Sequence, residues 1–214
     1  MSSHYLIISM AIALLTLVPC VISFERKNFS TGHLVIAAVM IATAVVGRAA
    51  FFMIPNFKPI LAIVIIAGVA LGGETGFMVG AMSAFVSNFL FGQGPWTPFQ
   101  MVAMGLAGLL AGLIFHRLHH GDGSGGNIVS TGTGSVMPLA IFGAVYVFFI
   151  YGGIVDIWTI FSITPEPTLA TVIGVYSAAI VFNVVHAGAT FIFIMLLAKP
   201  MLKKINRVKI KYGI

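Results

Sequence analysis

The sequence predicts an all-α membrane protein with a six-helix core and an extra N-terminal transmembrane helix. Two observations support this fold class. Of the 214 residues, 59% are hydrophobic and 7% are charged, whereas a soluble domain averages about 25% charged residues. The apolar residues also form long stretches, and a membrane-spanning helix needs about 20 of them in succession. The stretches cover residues 5–24, 33–54, 59–72, 75–92, 98–116, 137–161 and 168–198.

The first stretch, residues 5–24, is predicted to be a retained helix rather than a cleaved signal peptide. A secretory signal begins with basic residues and ends at a cleavage site of small residues. Met1–Tyr5 contains no Lys or Arg, and no such cleavage site follows the stretch. The stretch at 59–72 is short for a span, so we expect it to be tilted, broken or extended by its flanks. The stretch at 168–198 is long, so we expect it to emerge into the cytoplasm.

The distribution of basic residues predicts the orientation in the membrane. Six of the eleven Lys and Arg residues lie near the C-terminus: Lys199, Lys203, Lys204, Arg207, Lys209 and Lys211. Because cytoplasmic segments carry an excess of Lys and Arg, we expect a multi-pass protein of the cell membrane with a cytoplasmic C-terminus. The net charge of +6 is then explained by this tail and its attraction to anionic lipid, and we expect no nucleic-acid partner.

This orientation divides the chain into three parts and assigns its connections. The parts are an N-terminal helix with its cytoplasmic connection (1–30), a six-helix membrane core (31–198) and a basic cytoplasmic tail (199–214). The connections predicted to lie outside are Asn56–Pro59, Gly92–Thr97 and Ser162–Thr168.

Arg48 is the most informative single residue. It lies inside an apolar stretch, about two helical turns before the turn Pro55–Pro59. A charge at the centre of the membrane costs about 2.5–3.5 kcal/mol on insertion scales, so such a residue usually has a partner or a function. Asp156 is predicted at a similar depth. Two interpretations remain open: an ion pair between Arg48 and Asp156, and a position for Arg48 at the base of an outward-facing binding site.

Aromatic and amide side chains are predicted at the same outer level. Apolar rings combined with a few polar groups are typical of a small-molecule pocket, although aromatic residues of membrane helices also face lipid. Phe57 and Trp96 lie in turns and are therefore the stronger aromatic candidates. The candidate substrate-binding residues are Arg48, Phe52, Asn56, Phe57, Asn88, Gln93, Trp96, Gln100, Tyr151 and Asp156.

Small residues recur at helical spacing in three places. Such spacing allows helix backbones to approach closely in lipid. It is consistent either with packing inside the protein or with a face that docks another membrane subunit. The residues are Gly68, Gly72, Gly76, Gly80 and Ala84, the pair Gly108 and Gly112, and the pair Ala38 and Ala42.

Several catalytic motifs are absent from the sequence. It contains no Gly-x-Ser-x-Gly, no His-Glu-x-x-His and no phosphate-binding Walker loop. The five acidic residues form no cluster, and a lone His186 within a membrane helix is typical of packing rather than of metal binding. We therefore expect no enzyme, no metal site and no ATP site in this chain. Uphill transport would need energy from a partner or from an ion gradient.

Residues 31–198 resemble the substrate-binding (S) components of energy-coupling-factor (ECF) vitamin transporters. The resemblance rests on the run Ala38–Ala42 leading to Arg48, on the turn Pro55–Pro59 and on the glycines from Gly68 to Gly80. The segment Ser87–Pro98 resembles the cobalamin-type members. The N-terminal helix departs from the usual six-helix pattern of this family.

The resemblance implies a transport mechanism. An S component captures a vitamin from outside and docks on a transmembrane coupling protein that carries two cytoplasmic ATPases, which use ATP. Cobalamin is the expected vitamin, and riboflavin or another aromatic vitamin is the alternative. Ala38 and Ala42 match the small-residue docking motif of the family's first core helix. A self-sufficient secondary carrier and an intramembrane transferase are alternatives of a different class.

Overall fold

The computed structural model describes Ala11 and residues 30–116, 135–164 and 166–212. The predicted N-terminal helix at 5–24 therefore lies outside the described residues, apart from Ala11.

The described part of the chain is built from helices and contains no strand. This confirms the predicted all-α membrane fold. Two π-helical segments occur: Gly112–His116 extends the fourth helix, and Val147–Tyr151 joins the fifth to the sixth. The α-helices are α1 (Thr31–Ala50), α2 (Ile60–Leu71), α3 (Gly73–Phe91), α4 (Thr97–Ala111), α5 (Met137–Tyr146), α6 (Gly152–Ile163) and α7 (Leu169–Tyr212).

These helices correspond to the predicted apolar stretches of the core, except that α7 continues beyond residue 198 to Tyr212. Within the described residues, four helical segments are long and apolar enough to cross a membrane: Thr31–Ala50, Thr97–Phe115, Met137–Ile163 and Leu169–Tyr212. The α2 helix is apolar but has 12 residues. All of them are buried, because α2 lies at the centre of the bundle. Its short length is tolerated since the surrounding helices, rather than lipid, cover it.

Glycines bring α2, α3 and α4 into direct backbone contact. A Cβ atom at Gly68 would meet the backbone of Gly108, and one at Gly108 would meet the backbone of Gly76. A Cβ at Gly80 would meet the carbonyl of Met104. At these positions the regular spacing of small residues therefore reflects packing inside the protein, the first of its two interpretations.

The basic C-terminal segment continues α7 without a break. Leu202 and Ile205 are buried, so this part of the helix still packs on the bundle. Lys209 Nζ donates a hydrogen bond of 3.1 Å to the carbonyl oxygen of Ala70. Because Ala70 lies in the last turn of α2, the lysine satisfies a carbonyl at a helix C-terminus, where a positive charge is favourable.

We expect Gly108→Ala to destabilise the bundle by about 1–3 kcal/mol, because even a methyl group would force α3 and α4 apart. Gly188→Ala is the matched control, since a Cβ there meets nothing within 4 Å and alanine is the better helix former. Thermal unfolding in detergent measures both. Equal melting temperatures for the two variants would contradict the proposed backbone contact.

Candidate functional site

A cavity of about 540 Å³ lies between α6 and α7. One end is lined by Tyr151 and His186, and Gln100 of α4 and Asn56 of the α1–α2 loop also contribute. This volume is within the range of small-molecule sites. The cavity also combines apolar walls with several polar groups, which is the usual composition of such a site.

The walls of the cavity combine small residues with one polar pair. Gly174, Ala178 and Ala179 lie on the cavity side of α7, and their small side chains leave the space open. Asn183 Nδ2 donates a hydrogen bond of 3.1 Å to Asp156 Oδ2 across the gap between α6 and α7. This bond joins the two helices, and within the described ranges the other carboxylate oxygen of Asp156 has no donor.

His186 contributes a buried polar atom without a hydrogen-bond partner to the cavity wall, as far as the structure describes the chain. Its side chain is 8% exposed, and its Nε2 atom has no hydrogen-bond partner among the residues that the structure describes. The ring lies edge-on to Tyr151, with centroids 5.0 Å apart. A buried polar atom without a partner is unfavourable unless a ligand or water completes it. The sequence predicted a packing role for His186, and its place in the cavity wall was missed.

Arg48 is connected to this cavity through a buried hydrogen-bond network. Its Nη1 atom donates to Ser87 Oγ (2.5 Å) and to Asn88 Oδ1 (2.8 Å). Asn88 is fully buried, and its Nδ2 atom donates to Thr97 Oγ1 and Gln100 Oε1, both at 2.9 Å. Gln100 lines the cavity, and the hydrogen bond from Asn88 fixes the orientation of its side chain.

Gln93 extends the same network into the turn between α3 and α4. Thr97 Oγ1 donates to Gln93 Oε1 at 3.0 Å, and Gln93 Nε2 donates to the Phe85 carbonyl at 2.9 Å. These bonds close the turn onto the end of α3. Gln93 therefore orders the loop rather than lining the cavity.

The ion pair considered between Arg48 and Asp156 is not formed. Within the described part of the chain, Arg48 bonds to Ser87 and Asn88, and Asp156 bonds to Asn183. A neutral serine and asparagine thus bind the Nη1 atom of the intramembrane arginine. The Asp156 carboxylate remains available to the cavity.

Of the four predicted aromatic residues, three do not line the cavity. Phe52 stacks on Phe91 at 5.1 Å and is 57% exposed. Phe57 packs against Phe193 at 5.3 Å, and Trp96 precedes α4 as its N-cap. Tyr151 is the aromatic candidate that lines the cavity. Of the ten candidates, four line it: Asn56, Gln100, Tyr151 and Asp156.

A second hollow, of about 610 Å³, follows α5. Its lining is almost entirely apolar, and the Tyr146 hydroxyl in it already donates to the Ala103 carbonyl at 2.7 Å. It therefore offers few polar groups to orient a ligand. Among the described residues, no group of three His, Cys, Asp or Glu side chains could hold a metal ion.

We expect Asn88→Leu to destabilise the protein by about 1–3 kcal/mol or more, because it removes partners of Arg48, Thr97 and Gln100 inside the bundle. Gln93→Leu is the control at the exposed end of the network and should cost less. The measurement is the melting temperature of each purified variant. An equal loss in both variants would show that Asn88 is not the centre of the network.

Comparison with known families identifies the chain. The model of the family described as ECF-type riboflavin transporter, S component, matches residues 28–204. Searches of curated proteins and of solved structures gave no significant match. The match does not support the predicted cobalamin-type subgroup, since the matching family is of the riboflavin type. An S component is a substrate-binding subunit of a membrane transporter and not an enzyme. The chain belongs to the family of S components of ECF-type riboflavin transporters.

Proposed function

We propose that this chain captures riboflavin in the cavity between α6 and α7. The observation that carries the proposal is the buried His186 Nε2, which has no hydrogen-bond partner among the described residues and lies in the wall of a cavity of suitable size. The flavin ring system carries carbonyl oxygens, ring nitrogens and one N–H group along its edge. Because a neutral imidazole nitrogen either donates or accepts, His186 can pair with one of these groups.

The remaining surface of the cavity suits the two parts of riboflavin. Tyr151, Val155 and the small residues of α7 offer an apolar slot for a flat ring system. Gln100, Asn56 and Asp156 offer amide and carboxylate groups to the hydroxyls of the ribityl chain. A site that hydrogen-bonds such groups discriminates strongly against ligands that lack them.

The volume of the cavity also favours a flavin over the cobalamin expected from the sequence. A corrinoid with its nucleotide loop is several times bulkier than riboflavin. A cavity of about 540 Å³ would enclose only part of a corrinoid, whereas pockets bury most of the surface of a small ligand. Cavity volume and family membership therefore point to the same vitamin.

Transport requires partners, and we propose those of the family: a transmembrane coupling protein and two cytoplasmic ATPases. The ATP is then used by the partners, and this chain binds the vitamin alone. With the C-terminus in the cytoplasm, the cavity opens to the outside. The family match gives no support to a self-sufficient carrier or an intramembrane transferase.

The exposed face of α1 contains two small residues that suit a docking role. Ala38 and Ala42 are exposed, unlike the glycines that are buried between α2, α3 and α4. They lie one helical turn apart, beside the exposed Val35, Val39 and Val46. A partner helix could approach the α1 backbone closely along this face.

Riboflavin should bind the detergent-purified chain without partners or ATP, with quenching of flavin fluorescence as the measurement. We expect His186→Leu to weaken binding about tenfold or more, because it removes a buried hydrogen bond. Ala179→Phe should abolish binding by filling the cavity. Ala170→Phe, exposed and outside the cavity, is the matched control. Absence of riboflavin binding by the folded wild-type chain would refute the proposal.

Ala38→Leu and Ala42→Leu should prevent co-purification of the coupling protein while riboflavin affinity stays unchanged, because the larger side chains hold the partner helix away. Ala170→Leu introduces the same change at the far end of α7 and serves as control. Normal assembly of both α1 variants would place the docking face elsewhere.

A further inference from the structure

Arg48 and Lys58 bring two positive charges to one aromatic ring. The Arg48 Cζ atom lies 4.9 Å from the centroid of Phe91, and Lys58 Nζ lies 5.9 Å from it. Burial, and secondly the charge of Arg48, lower the pKa of Lys58 in the α1–α2 loop. The two cations therefore repel each other, and the ring offsets only part of the cost.

No acidic residue in the described part of the chain neutralises this pair. The acids present there are Glu74, Asp156 and Glu166, and none forms an ion pair with Arg48 or Lys58. Such proximity of like charges is unfavourable unless an anion joins them.

The hydrogen-bond donors of the pair are largely unused. Within the described residues, Arg48 bonds only through Nη1, so Nε and Nη2 make no hydrogen bond. Lys58 Nζ likewise makes none. The Nε and Nη2 edge of a guanidinium matches two oxygens of a phosphate, and an ammonium adds a point charge.

The pair does not line the cavity but is linked to it. Asn56, two residues before Lys58, lines the cavity, and Arg48 is linked to the cavity residue Gln100 through Asn88. On the other side, Met53 in the same loop is 86% exposed, as expected for a loop that meets the membrane surface.

We propose that Arg48 and Lys58 form a phosphate-binding subsite linked to the cavity. Two sources carry this chemistry: a phosphate ester on a flavin that enters the cavity, and the headgroup of an anionic phospholipid beside the loop. The flavin source rests on the proposed riboflavin function, whereas the lipid source does not. Arg48 also holds the buried network, so Lys58 is the residue to vary.

The flavin arm compares riboflavin with flavin mononucleotide, which differs by one phosphate, on the wild-type chain and on Lys58→Gln. We expect the substitution to weaken flavin mononucleotide binding about tenfold and to leave riboflavin binding unchanged. Lys58→Arg should retain most of the affinity, and Lys211→Gln is the control for loss of one exposed positive charge. Unchanged riboflavin affinity also shows that the variant is folded.

To test the lipid source, the same variants are reconstituted in nanodiscs of mixed phosphatidylglycerol and phosphatidylcholine. Native mass spectrometry then counts the lipids that stay bound to each variant. Fewer phosphatidylglycerol molecules on Lys58→Gln than on the wild type would identify the headgroup as the ligand. Equal retention, together with equal flavin mononucleotide affinity, would overturn the subsite. If riboflavin fails to bind the wild type, the proposed function fails, and the lipid arm still decides the subsite.

Discussion

The arrangement of α1, α3 and α4 next to the cavity depends on the hydrogen bond from Arg48 to Asn88. An arginine inside a membrane helix usually has partners within the protein, and here neutral side chains on α3 bind its Nη1 atom. Asn88 in turn orients Thr97 and Gln100. One buried asparagine therefore joins α1, α3 and α4 and extends to the edge of the cavity. A carboxylate partner would have neutralised the arginine, whereas an amide leaves its charge for a ligand.

The bundle has a closely packed part and an open part. Glycines such as Gly76 and Gly108 allow α3 and α4 to touch through their backbones, so this part has little room for a ligand. On α7, small residues such as Gly174 and Ala178 have the opposite effect, because no neighbouring backbone fills the space they leave. The same residue types thus form a tight interface in one place and a cavity wall in another.

A scarcity of acids determines the electrostatics of the site. The sequence has five acidic against eleven basic residues, and the acid beside the cavity, Asp156, is held by Asn183. Arg48 and Lys58 consequently have no acidic partner among the described residues. A surplus of positive charge at a concave site attracts anionic ligands.

The sequence by itself determined the fold class and the approximate positions of the core helices, because apolar stretches long enough to span a membrane allow few other structures. It also singled out Arg48, Asn88 and Gln100. Only the tertiary structure decided which residues meet. Helix rotation and loop position decide three features of the site. Arg48 and Asp156 do not pair, Gln93 belongs to the hydrogen-bond network, and His186 lines the cavity. Local sequence does not encode helix rotation or loop position. A lone histidine in a membrane helix therefore has the same sequence pattern whether it packs against a neighbour or lines a site.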